Sequence, residues 1–180
     1  MLSNARIPVV GFVAHSGTGK TTLLRQLIPL LREAGIRVAV IKHTHHDFDI
    51  DQPGKDSYVL RKAGTEQMLV ASNRRWALMV ENSEQQPEPA LNALLTQLDQ
   101  SRLELILVEG FKHESFPKIE LQRVELAKPA LYVDDADIIA VASDAPLQTQ
   151  RPITRLDLNQ PRQILDFLIA RFRLDAHRKP

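Results

Sequence analysis

A doubly wound α/β fold, with a mostly parallel sheet and helices on both faces, is predicted by three observations. Short apolar runs alternate with helical patterns along the whole chain, as crossover connections between parallel strands require. Several of those runs are apolar at every position, which suits strands covered on both faces. A glycine-rich turn joins the first strand to the first helix.

The elements follow in order. Ile7 to Val13 is the first strand. Residues 14–22, Ala-His-Ser-Gly-Thr-Gly-Lys-Thr-Thr, form the turn. Lys20 to Ala34 is a helix with an apolar stripe of Leu23, Leu27, Leu30 and Leu31, and Gly35 stands just past its end. Pro29 lies inside it and should bend the axis without stopping the helix, because the apolar spacing resumes at once. Val38 to Ile41 reads as a buried strand. A short helix over Asp56 to Lys62 closes at Gly64, and Met68 to Val70 and Trp76 to Val80 are two strands separated by the polar Ser72-Asn73-Arg74-Arg75 turn. The polar stretch Glu81 to Glu88 leads to a helix near Pro89 to Leu98. Leu105 to Val108 and Ile138 to Val141 are the remaining core strands, and a helix from Pro161 to Phe172 closes the pattern. Residues 1–180 are expected to make one nucleotide-binding domain, with flexible ends at about 1–6 and 174–180.

Composition narrows the class of function. The 180 residues carry 23 basic against 22 acidic side chains, a formal charge of +1, so no broad basic field exists to drive nucleic-acid binding. Cysteine is absent, which removes disulfides and thiolate metal sites and favours a reducing compartment. No apolar run has the length of a membrane span or a signal peptide, so the expected location is the cytoplasm.

The turn at 14–22 carries the chemistry. It matches the G-x-x-x-x-G-K-[ST] phosphate-binding pattern (Walker A) of P-loop NTPases, with Ala14 in place of the first glycine. Gly17 and Gly19 let the backbone curl so that its N–H groups face an anion, Lys20 adds a positive charge, and Thr21 offers a hydroxyl to Mg²⁺. Ligands of such sheets bind beyond the carboxyl ends of the strands. That rule gathers Ala14–Thr21, Lys42–Asp56, Glu109–Gly110 and Ser143–Asp144 at one crevice. Glu109 ends an apolar strand as the acidic residue supporting Mg²⁺ does, either holding a water of the ion's shell or orienting the attacking water; an exposed carboxylate capping the strand is the plainer reading.

Residues 42–51, Lys-His-Thr-His-His-Asp-Phe-Asp-Ile-Asp, place three imidazoles and three carboxylates within nine positions. An EF-hand is excluded, since Gln52 and Tyr58 stand where glycine and glutamate are needed. A transition-metal site using His43 and His45 stays open, as does a merely solvated loop. The favoured reading is a switch-like loop in which Lys42 neutralises phosphate and Asp47 or Asp49 approaches Mg²⁺ through water. Arg61 could present a bidentate fork to a phosphorylated second substrate. A carboxylate at Asp144 could accept hydrogen bonds from the N1 and N2 edge of guanine, although the Asn-Lys-x-Asp sequence usual for that base is missing.

Taken together, the strings Ser16-Gly17-Thr18-Gly19-Lys20-Thr21-Thr22, Ile41-Lys42-His43-Thr44-His45-His46-Asp47, Gly54-Lys55-Asp56-Ser57, Leu60-Arg61-Lys62-Ala63-Gly64 and Val108-Glu109-Gly110-Phe111-Lys112-His113-Glu114 resemble the MobB family of molybdopterin-guanine dinucleotide biosynthesis proteins over residues 7 to 145. The resemblance implies a GTP-binding, homodimeric accessory protein with weak Mg²⁺-dependent GTPase activity. It implies as partner the guanylyltransferase that joins GMP to molybdopterin, with molybdopterin itself within reach, and neither nucleic acid nor membrane. The candidate catalytic residues are then Lys20 and Glu109. The nucleotide set is Ser16, Gly17, Thr18, Gly19, Lys20, Thr21, Thr22, Ser143 and Asp144. The Mg²⁺ set is Thr21, Glu109, Asp47 and Asp49, and Lys42, His43, Arg61 and Lys112 are candidate substrate contacts. A nickel-delivery GTPase and a small-molecule P-loop kinase are the alternatives.

Overall fold

The computed structural model describes residues 2–44, 48–82 and 88–176. The chain divides into two compact units, residues 1–43 with 90–180 and residues 44–89.

The first unit is built on a six-stranded sheet. Its strands are β1 (Val9–Val13), β2 (Val38–Lys42), β5 (Leu105–Glu109), β6 (Lys118–Gln122), β7 (Ile138–Ser143) and β8 (Thr154–Asp157), in the order β2-β5-β1-β6-β7-β8. Every pairing is parallel, which places all six carboxyl ends along one edge. The two-residue side-chain period sorts β1 between two layers. Val10 and Phe12 face α1 (Lys20–Glu33) and α4 (Pro161–Phe172), packing with Leu27, Leu31, Leu107, Leu165 and Leu168. Val9 faces Ile106, Val108 and the short helix α3 (Leu91–Leu94), while Val13 joins Tyr132, Ile138 and Val141.

Helix α1 runs through Pro29 without interruption, as the spacing predicts. It ends where Gly35 takes a left-handed φ of 83° and the N–H groups of Gly35 and Ile36 return to the carbonyls of Arg32 and Leu31 at 3.0 and 2.9 Å. That pairing satisfies carbonyls the last turn leaves open. The two-stranded reading and the helix from Asp56 to Lys62 also agree with the structure.

Other expectations need correction. Strand β2 is not buried throughout: it forms the edge of the sheet, only Ile41 is well covered, and Val40 is 44% exposed. The helix expected near 89–98 is one α turn continued by a 3-10 turn at Leu95–Gln97. Strands β6 and β8 escape the sequence pattern, β6 because Lys118 and Glu120 alternate with Ile119 and Leu121 and mimic a half-exposed strand. Both charged residues are in fact buried beside the central strand. Before β1, the backbone N–H of Asn4 donates to Asn92 Oδ1 at 2.9 Å and that of Arg6 to Gln100 Oε1 at 2.8 Å, so this segment is tied down by polar contacts that apolar periodicity does not signal.

The second unit consists of α2 (Asp56–Lys62) and the antiparallel hairpin β3 (Gln67–Ala71) with β4 (Trp76–Val80), Met68 opposite Met79. Arg61 organises it. Its buried guanidinium donates to Asp51 at 2.6 Å, to Glu81 at 2.8 Å and to Asp49. The hydrogen bond from Arg61 holds the Asp51 carboxyl below its ordinary range, while the same carboxylates raise the Arg61 pKa further. A carboxyl with a depressed folded pKa stabilises fully above its unfolded value, about 3.9 for aspartate, and that contribution is lost as pH falls through the folded value. Amides of β3 and β4 should therefore keep their hydrogen-exchange protection from pH 7 to 5 and lose it below about pH 4. Protection that is unchanged at pH 3 would contradict the assignment.

Candidate functional site

The cradle grows from the end of β1. Gly17 and Gly19 adopt φ of 82° and 99°, left-handed values that a side chain disfavours, and Gly19 caps α1. The first-turn N–H groups of α1, from Lys20 onward, have no acceptor within the helix, so they supply the partial positive charge of its N-terminus. The buried Thr18 braces the loop from inside, its hydroxyl donating to the His15 carbonyl at 2.8 Å. Lys20 Nζ lies back over the loop and donates to the Ala14 carbonyl at 3.3 Å. Ala14 therefore serves the turn through its main chain, and the missing first glycine does not alter that role. Ser16, Gly17, Thr21 and Thr22 are exposed at the cradle.

Beside it, parallel pairing of β1 with β5 brings Glu109 opposite Phe12. The Thr21 hydroxyl donates to Glu109 Oε1 at 3.4 Å, and Lys42 Nζ lies 3.7 Å from Glu109 Oε2. Thus Lys42 from β2, Glu109 from β5 and Thr21 from α1 share one locus, as the strand-end rule implies. His43 joins them from the next position: its N–H donates to the Glu109 carbonyl at 2.8 Å, and its ring stacks obliquely on Phe111 at 4.6 Å.

Gly110 makes this approach feasible. It has φ 103°, and a Cβ there would sit 2.6 Å from the His43 Cβ. Gly110→Ala should cost about 1–3 kcal/mol and displace Glu109 from Thr21, lowering both the melting temperature and ligand affinity. A wild-type melting temperature for this variant would contradict the packing described.

On the other flank, Arg123 at the end of β6 donates through Nε to the Thr18 carbonyl at 3.0 Å and through Nη1 to Asp144 Oδ2 at 3.3 Å. Asp144 Oδ1 accepts the Val124 N–H at 3.0 Å, and the buried Ser143 hydroxyl accepts the Ala145 N–H at 3.3 Å. Asp144 and Ser143 line a cavity of about 360 Å³ with Leu147, Arg155, Asp157 and Gln163 at the ends of β7 and β8. Nothing in the local sequence singles out Arg123; only the neighbouring strands that bring it to the cradle reveal it.

Among the described residues, the remaining candidates have partners of their own. Asp49 and Arg61 bind one another within the second unit, where the guanidinium is shared among three carboxylates. Lys112 is exposed, and its carbonyl accepts from Lys118 Nζ at 3.1 Å. Asp47, with His45 and His46, lies outside the described residues. Among the described residues no group of three His, Cys, Asp or Glu side chains is arranged to hold a metal ion, and no helix is long and apolar enough to cross a membrane.

A parallel sheet carrying Lys20, Thr21 and Glu109 at adjoining strand ends defines a P-loop nucleotide-binding protein of the NTPase-like α/β class. The family model for molybdopterin guanine dinucleotide synthesis protein B matches residues 9–144. The chain belongs to this MobB family. It is 51% identical over 170 residues to the molybdopterin-guanine dinucleotide biosynthesis adapter protein of Escherichia coli K12, covering 94% of this chain and 95% of that one. A protein of the same description from Haemophilus influenzae is 46% identical over 166 residues, covering 92% and 89%. Among solved structures, one of molybdopterin-guanine biosynthesis protein B superposes with a TM-score of 0.71 at 25% identity, covering 92% of this chain and 99% of that one.

Proposed function

We propose that this protein is an adapter in molybdenum-cofactor biosynthesis that binds GTP with Mg²⁺ and assists the guanylyltransferase forming molybdopterin guanine dinucleotide. The observation that carries the nucleotide part is the convergence of Lys20, Thr21 and Glu109 at the ends of β1 and β5. The adapter part rests on the similarity of the chain to the molybdopterin-guanine dinucleotide biosynthesis adapter proteins of Escherichia coli and Haemophilus influenzae.

The donor set suits the metal. A threonine hydroxyl and a carboxylate oxygen within 3.4 Å of each other are the hard oxygen ligands Mg²⁺ prefers, and Thr21 and Glu109 would hold it. Bound there, the ion would neutralise charge on the phosphates. Lys20 exchanges the Ala14 carbonyl for a phosphate oxygen, the first turn of α1 supplies N–H donors, and Lys42 adds a positive charge 3.7 Å from Glu109. The cavity beside Asp144 accepts the base, whose guanine edge donates to the carboxylate lone pairs left by Arg123 and Val124. Hydrolysis is slow on this reading, since Lys20 and Glu109 position and stabilise charge without a dedicated group on the attacking water.

Partner and assembly belong to the same proposal. The protein works in the cytoplasm, as a homodimer, with the guanylyltransferase and its molybdopterin substrate. The second unit offers apolar side chains for association: Phe48, Ile50, Val59, Leu69 and Trp76 are all more than half exposed. The test is dinucleotide formation by the purified transferase at limiting GTP, with and without this protein. Stimulation that requires an intact cradle supports the reading, and equal yields contradict it. Sedimentation equilibrium that gives a monomer at micromolar concentration would refute the dimer.

A further inference from the structure

Arg123 has a geometry that structural bracing alone does not require. Its stem is anchored by the Nε bond to the Thr18 carbonyl at 3.0 Å, but its head makes only a single contact with Asp144, at 3.3 Å through Nη1. Among the described residues, Nη2 donates to no group. That nitrogen lies 3.6 Å from where a Cβ on Gly19 would be, and Nε lies 4.0 Å from the same point, so the guanidinium rests against the residue that caps α1. The side chain is 30% exposed, and Asp144 is 19% exposed, so water and ligands reach the pair.

A guanidinium is a planar fork suited to phosphate, and its pairing with one oxygen of Asp144 leaves that fork half used. A magnesium polyphosphate entering the cradle carries several negative charges against the single charge of Asp144, and it would arrive beside Nη2. Asp144 keeps its second anchor, the Val124 N–H, when the arginine turns away. We propose that Arg123 is a polyphosphate-binding residue of the cradle, held in reserve by Asp144 and transferred to the phosphate chain when nucleotide binds. This rests on the nucleotide reading above. It extends that reading by making Asp144 a competitor for the arginine as well as a wall of the base cavity.

The competition gives opposite signs to the two partners, and a probe without a base isolates it. Magnesium tripolyphosphate is titrated calorimetrically into the full-length protein and its variants, alongside magnesium GTP. Arg123→Ala should weaken tripolyphosphate binding by roughly tenfold or more, as expected for a lost charge-assisted bond. Asp144→Asn should tighten tripolyphosphate binding severalfold, and the gain should vanish in the Arg123→Ala, Asp144→Asn double variant. Arg123→Lys, which keeps the charge without the fork, should fall between Arg123→Ala and the parent. Melting curves establish that each variant is folded. Wild-type tripolyphosphate affinity in folded Arg123→Ala, or an Asp144→Asn variant that binds no more tightly than the parent, overturns the proposal while leaving GTP binding intact. A parent protein that binds neither GTP nor tripolyphosphate overturns the nucleotide reading and this inference with it.

Discussion

Lys118→Ala is expected to lower the free energy of unfolding by about 3–5 kcal/mol, the range for removing one partner of a buried ion pair. Lys118 is 1% exposed in the middle of the sheet, and its ammonium donates to the Glu114 carbonyl at 2.8 Å and the Lys112 carbonyl at 3.1 Å while pairing with Asp135 at 2.8 Å. All three of its protons are thereby used. Alanine would leave two carbonyls and a carboxylate without their donor and would open a void above Gly11, whose missing side chain is what admits the lysine stem: a Cβ there would sit 2.8 Å from Lys118 Cγ. The loss should appear in urea unfolding as a lower midpoint at unchanged slope. It should also reach the site, because the carbonyls that Lys118 gathers belong to the loop that follows Glu109 and Gly110. Lys118→Met, which refills the stem volume, should recover part of the stability. A Lys118→Ala protein as stable as its parent would show that this network contributes nothing to the fold.

Lys20→Ala should act on the ligand and leave the fold alone. Among the described residues Lys20 makes one bond, to the Ala14 carbonyl at 3.3 Å, so its loss should cost little stability. Against a bound polyphosphate, the same ammonium would make a charge-assisted contact worth about 1.5–3 kcal/mol, which corresponds to a roughly tenfold to hundredfold loss of GTP affinity. Calorimetric titration of both proteins under one salt concentration checks it. Equal affinities would remove Lys20 from the site.

The contrast between these two lysines explains how far the sequence could be read. Lys20 follows a glycine-rich turn between a strand and a helix, so its role is written within nine consecutive residues. Lys118 lies in a strand whose charged and apolar residues alternate, a pattern shared by strands with one wet face. Its burial depends on Gly11, Glu114 and Asp135, which are scattered along the chain and brought together only by packing. Glu120 is the same case: it is fully buried, and the backbone N–H groups of Leu131 and Tyr132, both at 2.8 Å, satisfy it.

The edge position of β2 was equally hidden, because an apolar run does not state whether a neighbour covers both sides. Glu109 was legible from its place at the end of an apolar strand, and the parallel register delivers it to Thr21. Arg123 was not, since a single arginine after a charged-alternating strand has no local signature. Arg61 shows the reverse hazard. Its basic environment in sequence suggested a phosphate fork, but Asp49, Asp51 and Glu81 converge on it from separate segments of the second unit.

On the function proposed, the residue 14–22 turn and Glu109 form a receptor for a magnesium-bound purine triphosphate. Equilibrium titration of the purified protein with GTP in the presence of Mg²⁺, with ATP and GDP as comparisons, tests it most directly. Saturable binding at one GTP per chain, tighter than for ATP and lost on Lys20→Ala, is the predicted result. No detectable binding of any of the three nucleotides would contradict the account.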